Sequence, residues 1–127
     1  LYFFIPRFTG AIGVYSFITT QHMAMQQDVY DHRLSTRSMT NGWLGRMLYW
    51  NMNYHIEHHV FPSIPFHALP ALNAAIKDQL PKPSPSLLAA HIEIIQTIFA
   101  QRRNPNAHAY HPLPSGTQAV STPNATN

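Results

Sequence analysis

Apolar residues dominate positions 8 to 25, FTGAIGVYSFITTQHMAM, and His22 is the one residue there able to carry a formal charge. A stretch of this length is close to the lower limit of about 17–20 apolar residues for crossing a bilayer core. Tyr15, Ser16, Thr19, Thr20 and Gln21 make it less apolar than most spans. The pattern predicts a helix of about 8–25, either crossing a membrane with its polar end in a protein interior or buried in a soluble protein. Residues 26–42 are polar and contain the turn pair Asn41-Gly42. From 43 to 59, WLGRMLYWNMNYHIEHH, no Pro intervenes, and Leu44, Leu48, Met52, His55 and His59 recur at three- and four-residue steps. That spacing predicts one continuous helix over about 43–59. Phe61-Pro62-Ser63-Ile64-Pro65 ends it, because Pro lacks the N–H and restricts the residue before it.

Phe66, Leu69, Leu72, Ala75 and Ile76 predict a short amphipathic helix over about 66–80, with Pro70 tolerated only in its first turn. Pro81, Pro83 and Pro85 stiffen the connector that follows. Ser86 is a candidate cap for a last helix, 87–103, with Leu88, Ile92, Ile95 and Phe99 as its apolar stripe and Arg102 and Arg103 at its C-terminal end. Its polar face, with His91, Glu93, Gln96 and Gln101, argues for lying on a membrane surface or packing on a protein domain, not for spanning. Residues 104–127 are rich in Pro, Asn, Ser and Thr, the composition of a disordered tail. Asn124-Ala125-Thr126 matches a glycosylation acceptor pattern that is common by chance. The fold class read from these elements is all-α.

Composition strengthens the membrane reading. Charged residues make up 10% of the chain, well below the roughly 25% of soluble domains. The net charge of +3 comes from scattered Lys and Arg with no recognisable nucleic-acid module. There is no Cys, which excludes disulfides and thiolate metal sites. Beginning at Leu1 inside an apolar run, with no initiator Met and no signal-peptide layout, the chain reads as a piece of a longer protein.

The chemistry resides in His55-Ile56-Glu57-His58-His59. At about 100° per residue, His55, His58 and His59 share one helical face within about 100° of arc, and Glu57 points roughly 160–200° away. Three converging imidazoles hold a metal, and Fe, Zn, Cu and Ni all accept that donor. On a continuous helix Asn51 shares the face of His55, where it can orient a ligand or hold a metal-bound water. The His-Glu-x-x-His order of zinc proteases and its inverted form are absent.

Residues 50–70, WNMNYHIEHHVFPSIPFHALP, closely resemble the last histidine box of membrane fatty acid desaturases and their hydroxylase relatives. Upstream, Gln21-His22 and Asp31-His32-Arg33-Leu34-Ser35-Thr36-Arg37 resemble the segment that precedes this box. The resemblance covers about residues 15–82. It implies that residues 1–103 are the C-terminal part of a helical membrane desaturase domain, integral to the membrane, with its metal site on the cytoplasmic side. It further implies two non-haem Fe ions and O2 as co-substrate. His55, His58 and His59 match the last box, and His22 matches an additional ligand by position. The two earlier boxes do not occur in this chain, so the isolated chain is expected to be inactive. The implied partners are a fatty acyl or other long-chain lipid substrate and an electron donor such as ferredoxin or cytochrome b5.

Other histidines read differently. His32 is expected to be solvated or paired with Asp28 or Asp31, an Asp–Arg pair is expected with Arg33 or Arg37, and His67 is a lesser candidate for the site. His91, His108 and His111 read as surface residues. Two further functions stay open: an alkane or carotenoid hydroxylase of the same superfamily, and a non-catalytic metal-binding or membrane-interaction module.

Overall fold

The computed structural model describes residues 1–121, and these form six α-helices: α1 (Phe4–His22), α2 (His32–Ser35), α3 (Trp43–Leu48), α4 (His55–Val60), α5 (Leu69–Ile76) and α6 (Leu87–Gln101). Short 3-10 turns, Phe66–Ala68 and Lys77–Gln79, flank α5. No strand occurs among the described residues, as the all-α reading expects, and one parallel bridge joins Met39 to Ser84.

The helix expected over about 8–25 forms as α1, Phe4–His22. Its hydroxyls are satisfied by its own backbone: Thr9, Ser16 and Thr19 donate to the carbonyls of Ile5, Ile12 and Tyr15 at 2.9, 2.8 and 2.7 Å. The helix stops at His22 because Met23 is extended and Ala24 is left-handed, with φ 63°. Among the described residues no helix is long and apolar enough to cross a membrane, so the spanning expectation for this segment is not met. The same Ser, Thr, Tyr, Gln and His side chains that anchor its C-terminal half lower its hydropathy. Most of its apolar surface, including Phe4, Phe8, Ile12 and Tyr15, remains exposed.

The continuous helix expected over 43–59 is a second correction. It divides into α3 and α4, with Trp50 and Asn51 both left-handed at φ 54°. Asn51 N–H reaches back to the Arg46 carbonyl at 2.8 Å and Trp50 N–H to that of Met47 at 3.4 Å, the bond pattern that closes a helix around a left-handed residue. Distant partners account for the break. Gln21 Nε2 donates to the Met52 carbonyl at 2.7 Å, and Met39 N–H donates to the Asn53 carbonyl at 3.0 Å. Neither carbonyl would be free for these bonds inside an unbroken helix. Leu44 and Leu48, read as part of the box helix face, are exposed on α3.

The core lies where the end of α1 meets α2, α4 and the loop between α2 and α3. Its largest fully buried side chains include Arg37, Gln21, Glu57 and Asn53 beside Met39, Ile56 and Leu69. Such a polar core depends on its groups finding partners, and most do, though Arg37 Nε and Asn53 Oδ1 have none among the described residues. Arg37 Nη2 lies 2.9 Å from Glu93 of α6, its Nη1 donates to the Thr20 carbonyl, and Asn53 Nδ2 donates to the Met39 carbonyl at 3.1 Å.

The segment expected as a helix over about 66–80 forms α5, Leu69–Ile76, between two 3-10 turns, and the one expected over 87–103 forms α6, Leu87–Gln101. Pro70 falls in the first turn of α5, and Ser86 Oγ caps α6 by accepting from Ala89 N–H at 3.1 Å. Ser86→Ala should cost about 1 kcal/mol of stability, read as a lower midpoint in urea unfolding with an unchanged slope. Helix α6 packs on α1 and buries Ala90, Ile94 and Thr97, which leaves the stripe of Leu88, Ile92, Ile95 and Phe99 exposed. The tail expected to be disordered from 104 to 127 has no helix or strand over 104–121, yet this part docks on the body. Ala109 is buried with its N–H on the Ala24 carbonyl, and Arg33 Nη2 donates to the Gln118 carbonyl at 2.9 Å. Asn124-Ala125-Thr126 lies outside the described residues.

Candidate metal centre

Helix α4 is short, and its rotation is set by the residue facing away from its histidines. Glu57 has 0% exposure. Its two carboxylate oxygens accept from Ser38 Oγ, at 2.8 Å, and from Asn73 Nδ2 of α5. The same Ser38 Oγ accepts from Ile56 N–H at 2.9 Å. With Glu57 and Ile56 locked inward, helical geometry turns His55, His58 and His59 to the opposite side.

His22, at the end of α1, meets that side. Its Nε2 is 2.8 Å from Nε2 of His55, and Nε2 of His59 is 3.0 Å from Nε2 of His55. One ligand nitrogen from each of the three rings lies within 4.8 Å of the others. Two imidazole nitrogens each roughly 2.1 Å from one ion, at right angles to each other, stand about 3 Å apart. The two spacings at His55 match imidazoles that share a single ion, and the third pair lies within 4.8 Å. The donor set also suits iron, which takes imidazole readily.

Electrostatics keep the cluster neutral. Burial, then the neighbouring His59, His22 and His58, pushes His55 down to about 3. Burial, then His22, His32 and His58, pushes His59 down to about 4. His22 is also lowered, by burial and then by His32. Neutral imidazole is the form that binds metal, so the lone pairs are available at neutral pH without displacing protons. The same shifts set a pH dependence. The folded values of His55 and His59 lie below the ordinary 6.5, so below that pH the unfolded chain binds more protons than the folded one. Their contribution to stability is intact above 6.5 and is lost as pH falls toward 4, with a limiting slope of about 1.4 kcal/mol per pH unit for His55 and less for the partly exposed His59. Thermal melts of the metal-free chain should show a falling Tm from pH 7 to 4.5 and no change from these groups between pH 7 and 8.

The remaining sequence candidates separate. His58 flanks the triad, its ring centroid 6.0 Å from His55 and 5.9 Å from His59. Asn51 lies in the left-handed turn before α4, so the helical spacing that would set it beside His55 does not exist. His67 is exposed with its ring against Phe66. His32 is not paired with Asp31: that carboxylate is taken by Arg33 at 2.7 Å, the expected Asp–Arg pair, while the His32 ring sits 5.1 Å from His59. The available signal for His32 was its place in the segment resembling the family. His111, read as a surface residue, is half-buried with Nε2 3.0 Å from Glu93 Oε1. No local pattern signals that contact, since its partner lies on a different element. A cavity of about 700 Å3 adjoins the cluster, with His59, His32, Phe61, Ile76 and Leu80 on its wall.

The family model described as fatty acid desaturase matches residues 1–89. The chain belongs to the fatty acid desaturase family. All three clustered histidines and His58 lie within the match, as do α1 to α5. The desaturase family implies a di-iron oxidoreductase acting on lipid and is typically membrane-bound. No curated protein and no solved structure matches the chain.

Proposed function

We propose that the chain is the C-terminal, metal-binding part of an O2-dependent di-iron fatty acyl desaturase. The observation that carries this reading is the convergence of His22, His55 and His59, from two helices far apart in sequence, at spacings suited to one ion. These three residues hold one iron, and His58 on the flank of the cluster serves the second. The remaining ligands come from the two earlier histidine boxes, which this chain lacks. Iron bound there supplies the capacity to activate O2 and to remove hydrogen from an unactivated C–H bond.

The chain's own residues perform the supporting tasks. The Ser38–Glu57–Asn73 bonds fix the aim of α4. Tyr49 stacks on Phe17 with ring centroids 4.2 Å apart and donates to Gln21, which secures α1 against the turn that leads from α3 to α4. The cavity beside His59 and His32 offers apolar walls for a fatty acyl chain. The exposed apolar residues of α1 and the free stripe of α6, with Arg102 over the Phe99 ring at 5.0 Å, support seating against a lipid surface. Electrons come from a partner protein of the ferredoxin or cytochrome b5 kind.

In the full-length protein, His58→Ala should lower iron content and abolish formation of unsaturated product, measured by elemental analysis and gas chromatography of the acyl chains. Full iron occupancy with normal turnover would overturn the assignment.

A further inference from the structure

His32 opens α2, a single turn held from both sides. Asp31 caps it by accepting from Arg33 N–H at 3.0 Å, and the Arg33 guanidinium clasps both oxygens of the same carboxylate. Val120 N–H adds a third donor to Asp31 at 3.0 Å, and Arg33 also reaches the Gln79 carbonyl at 3.1 Å. The Asp31 carboxylate is thus occupied, and the His32 ring has no hydrogen-bond partner among the described residues. Helix α2 packs on α4. That contact sets the His32 ring centroid 5.1 Å from His59, the same separation that divides His22 from His59 within the triad. Orientation differs, the His22 ring being edge-on at 80° and the His32 ring tilted at 37°, and the His32 nitrogens lie outside the group within 4.8 Å that His22, His55 and His59 form. His32 is exposed, so its ring can turn between staggered rotamers at small cost.

Four imidazoles gathered this closely repel one another once protonated and make no apolar core. A shared cation accounts for the gathering. We propose that His32 is a further metal-binding residue of this centre, approaching from the side of His59. The inference rests on the reading of His22, His55 and His59 as ligands. It differs from that reading in placing a donor on α2, which the five-residue box does not contain.

The test is Co(II) binding by the full chain, followed by visible absorption and calorimetry, for the unaltered protein, His32→Ala, His32→Gln, His55→Ala and the control His91→Ala. Both His32 variants should weaken Co(II) binding by roughly 10-fold, the lower end of what removing a tuning or peripheral partner does at metal sites. His55→Ala should lose far more and His91→Ala nothing. Equal affinity in the unaltered chain and both His32 variants, with loss in His55→Ala, overturns the role of His32 and leaves the triad intact. Failure of the unaltered chain to bind Co(II) overturns both. A second measurement needs no variant. Diethyl pyrocarbonate modification of His32, located by mass spectrometry, should fall when Co(II) is added, and equal modification with and without the metal overturns the proposal.

Discussion

Replacing His55 with Ala is expected to abolish metal binding, with an affinity loss of about 100-fold or more, above the roughly 10–100-fold that follows from disturbing a residue behind a ligand. His55 is the centre of the cluster: its Nε2 is the atom that both His22 and His59 approach, at 2.8 and 3.0 Å. Without it, His22 and His59 remain on separate helices with no donor between them. The loss should not be accompanied by unfolding. Among the described residues His55 makes no ring hydrogen bond other than those two contacts, and its buried Nδ1 has no partner. The truncation gives up those two contacts and also removes a buried nitrogen that has no partner among the described residues. The measurement is a Co(II) or Fe(II) titration of His55→Ala beside far-UV circular dichroism. Retained tight binding in a folded variant would show that the three nitrogens are not a site.

Arg37→Ala should produce the largest loss of stability, about 3 kcal/mol, at the low end of the range for breaking a buried ion pair. Arg37 is 1% exposed and carries its charge into the polar core. It joins three segments: α1 through the Thr20 carbonyl, α6 through Glu93 at 2.9 Å, and its own loop through Arg37 N–H on the Gln21 carbonyl at 2.8 Å. Truncation takes the side-chain donor from the Thr20 carbonyl and, among the described residues, leaves Glu93 with His111 alone. Glu93 is 30% exposed, so water softens the cost on that side. Arg37→Lys should recover part of the loss, because it restores charge but cannot serve a carbonyl and a carboxylate with one planar fork. Urea unfolding of the three proteins checks the order. Since Thr20 and Gln21 immediately precede His22, Arg37→Ala should also weaken metal binding by displacing the end of α1.

The sequence alone determined what depends on near neighbours. Turn chemistry and capping are local, so the Ser86 cap, the place of Pro70 in the first turn of α5 and the extent of α6 followed from residues within a few positions of each other. The common face of His55, His58 and His59 followed from helical geometry over one turn, and so did the opposite aim of Glu57. The family was legible in residues 15–82 for the same reason: the box and its flanks form a contiguous pattern.

Tertiary structure decided the rest. The break between α3 and α4 has no Pro to announce it, because it is drawn by Gln21 and Met39 bonding to the carbonyls of Met52 and Asn53. That break took Asn51 off the face of His55. The pairing of Arg37 with Glu93, 56 positions away in the chain, and the docking of residues 104–121 depend on partners that no local pattern contains. Bonds to partners distant in sequence form only when the helices pack, and where they offer a better partner than the local helix they override its propensity. The centre itself divides along the same line. The three histidines of the box could be read from one turn of helix, while the meeting of His22 with His55 and His59, and the nearness of His32 to His59, exist only because the end of α1 reaches α4 and α2 packs on it.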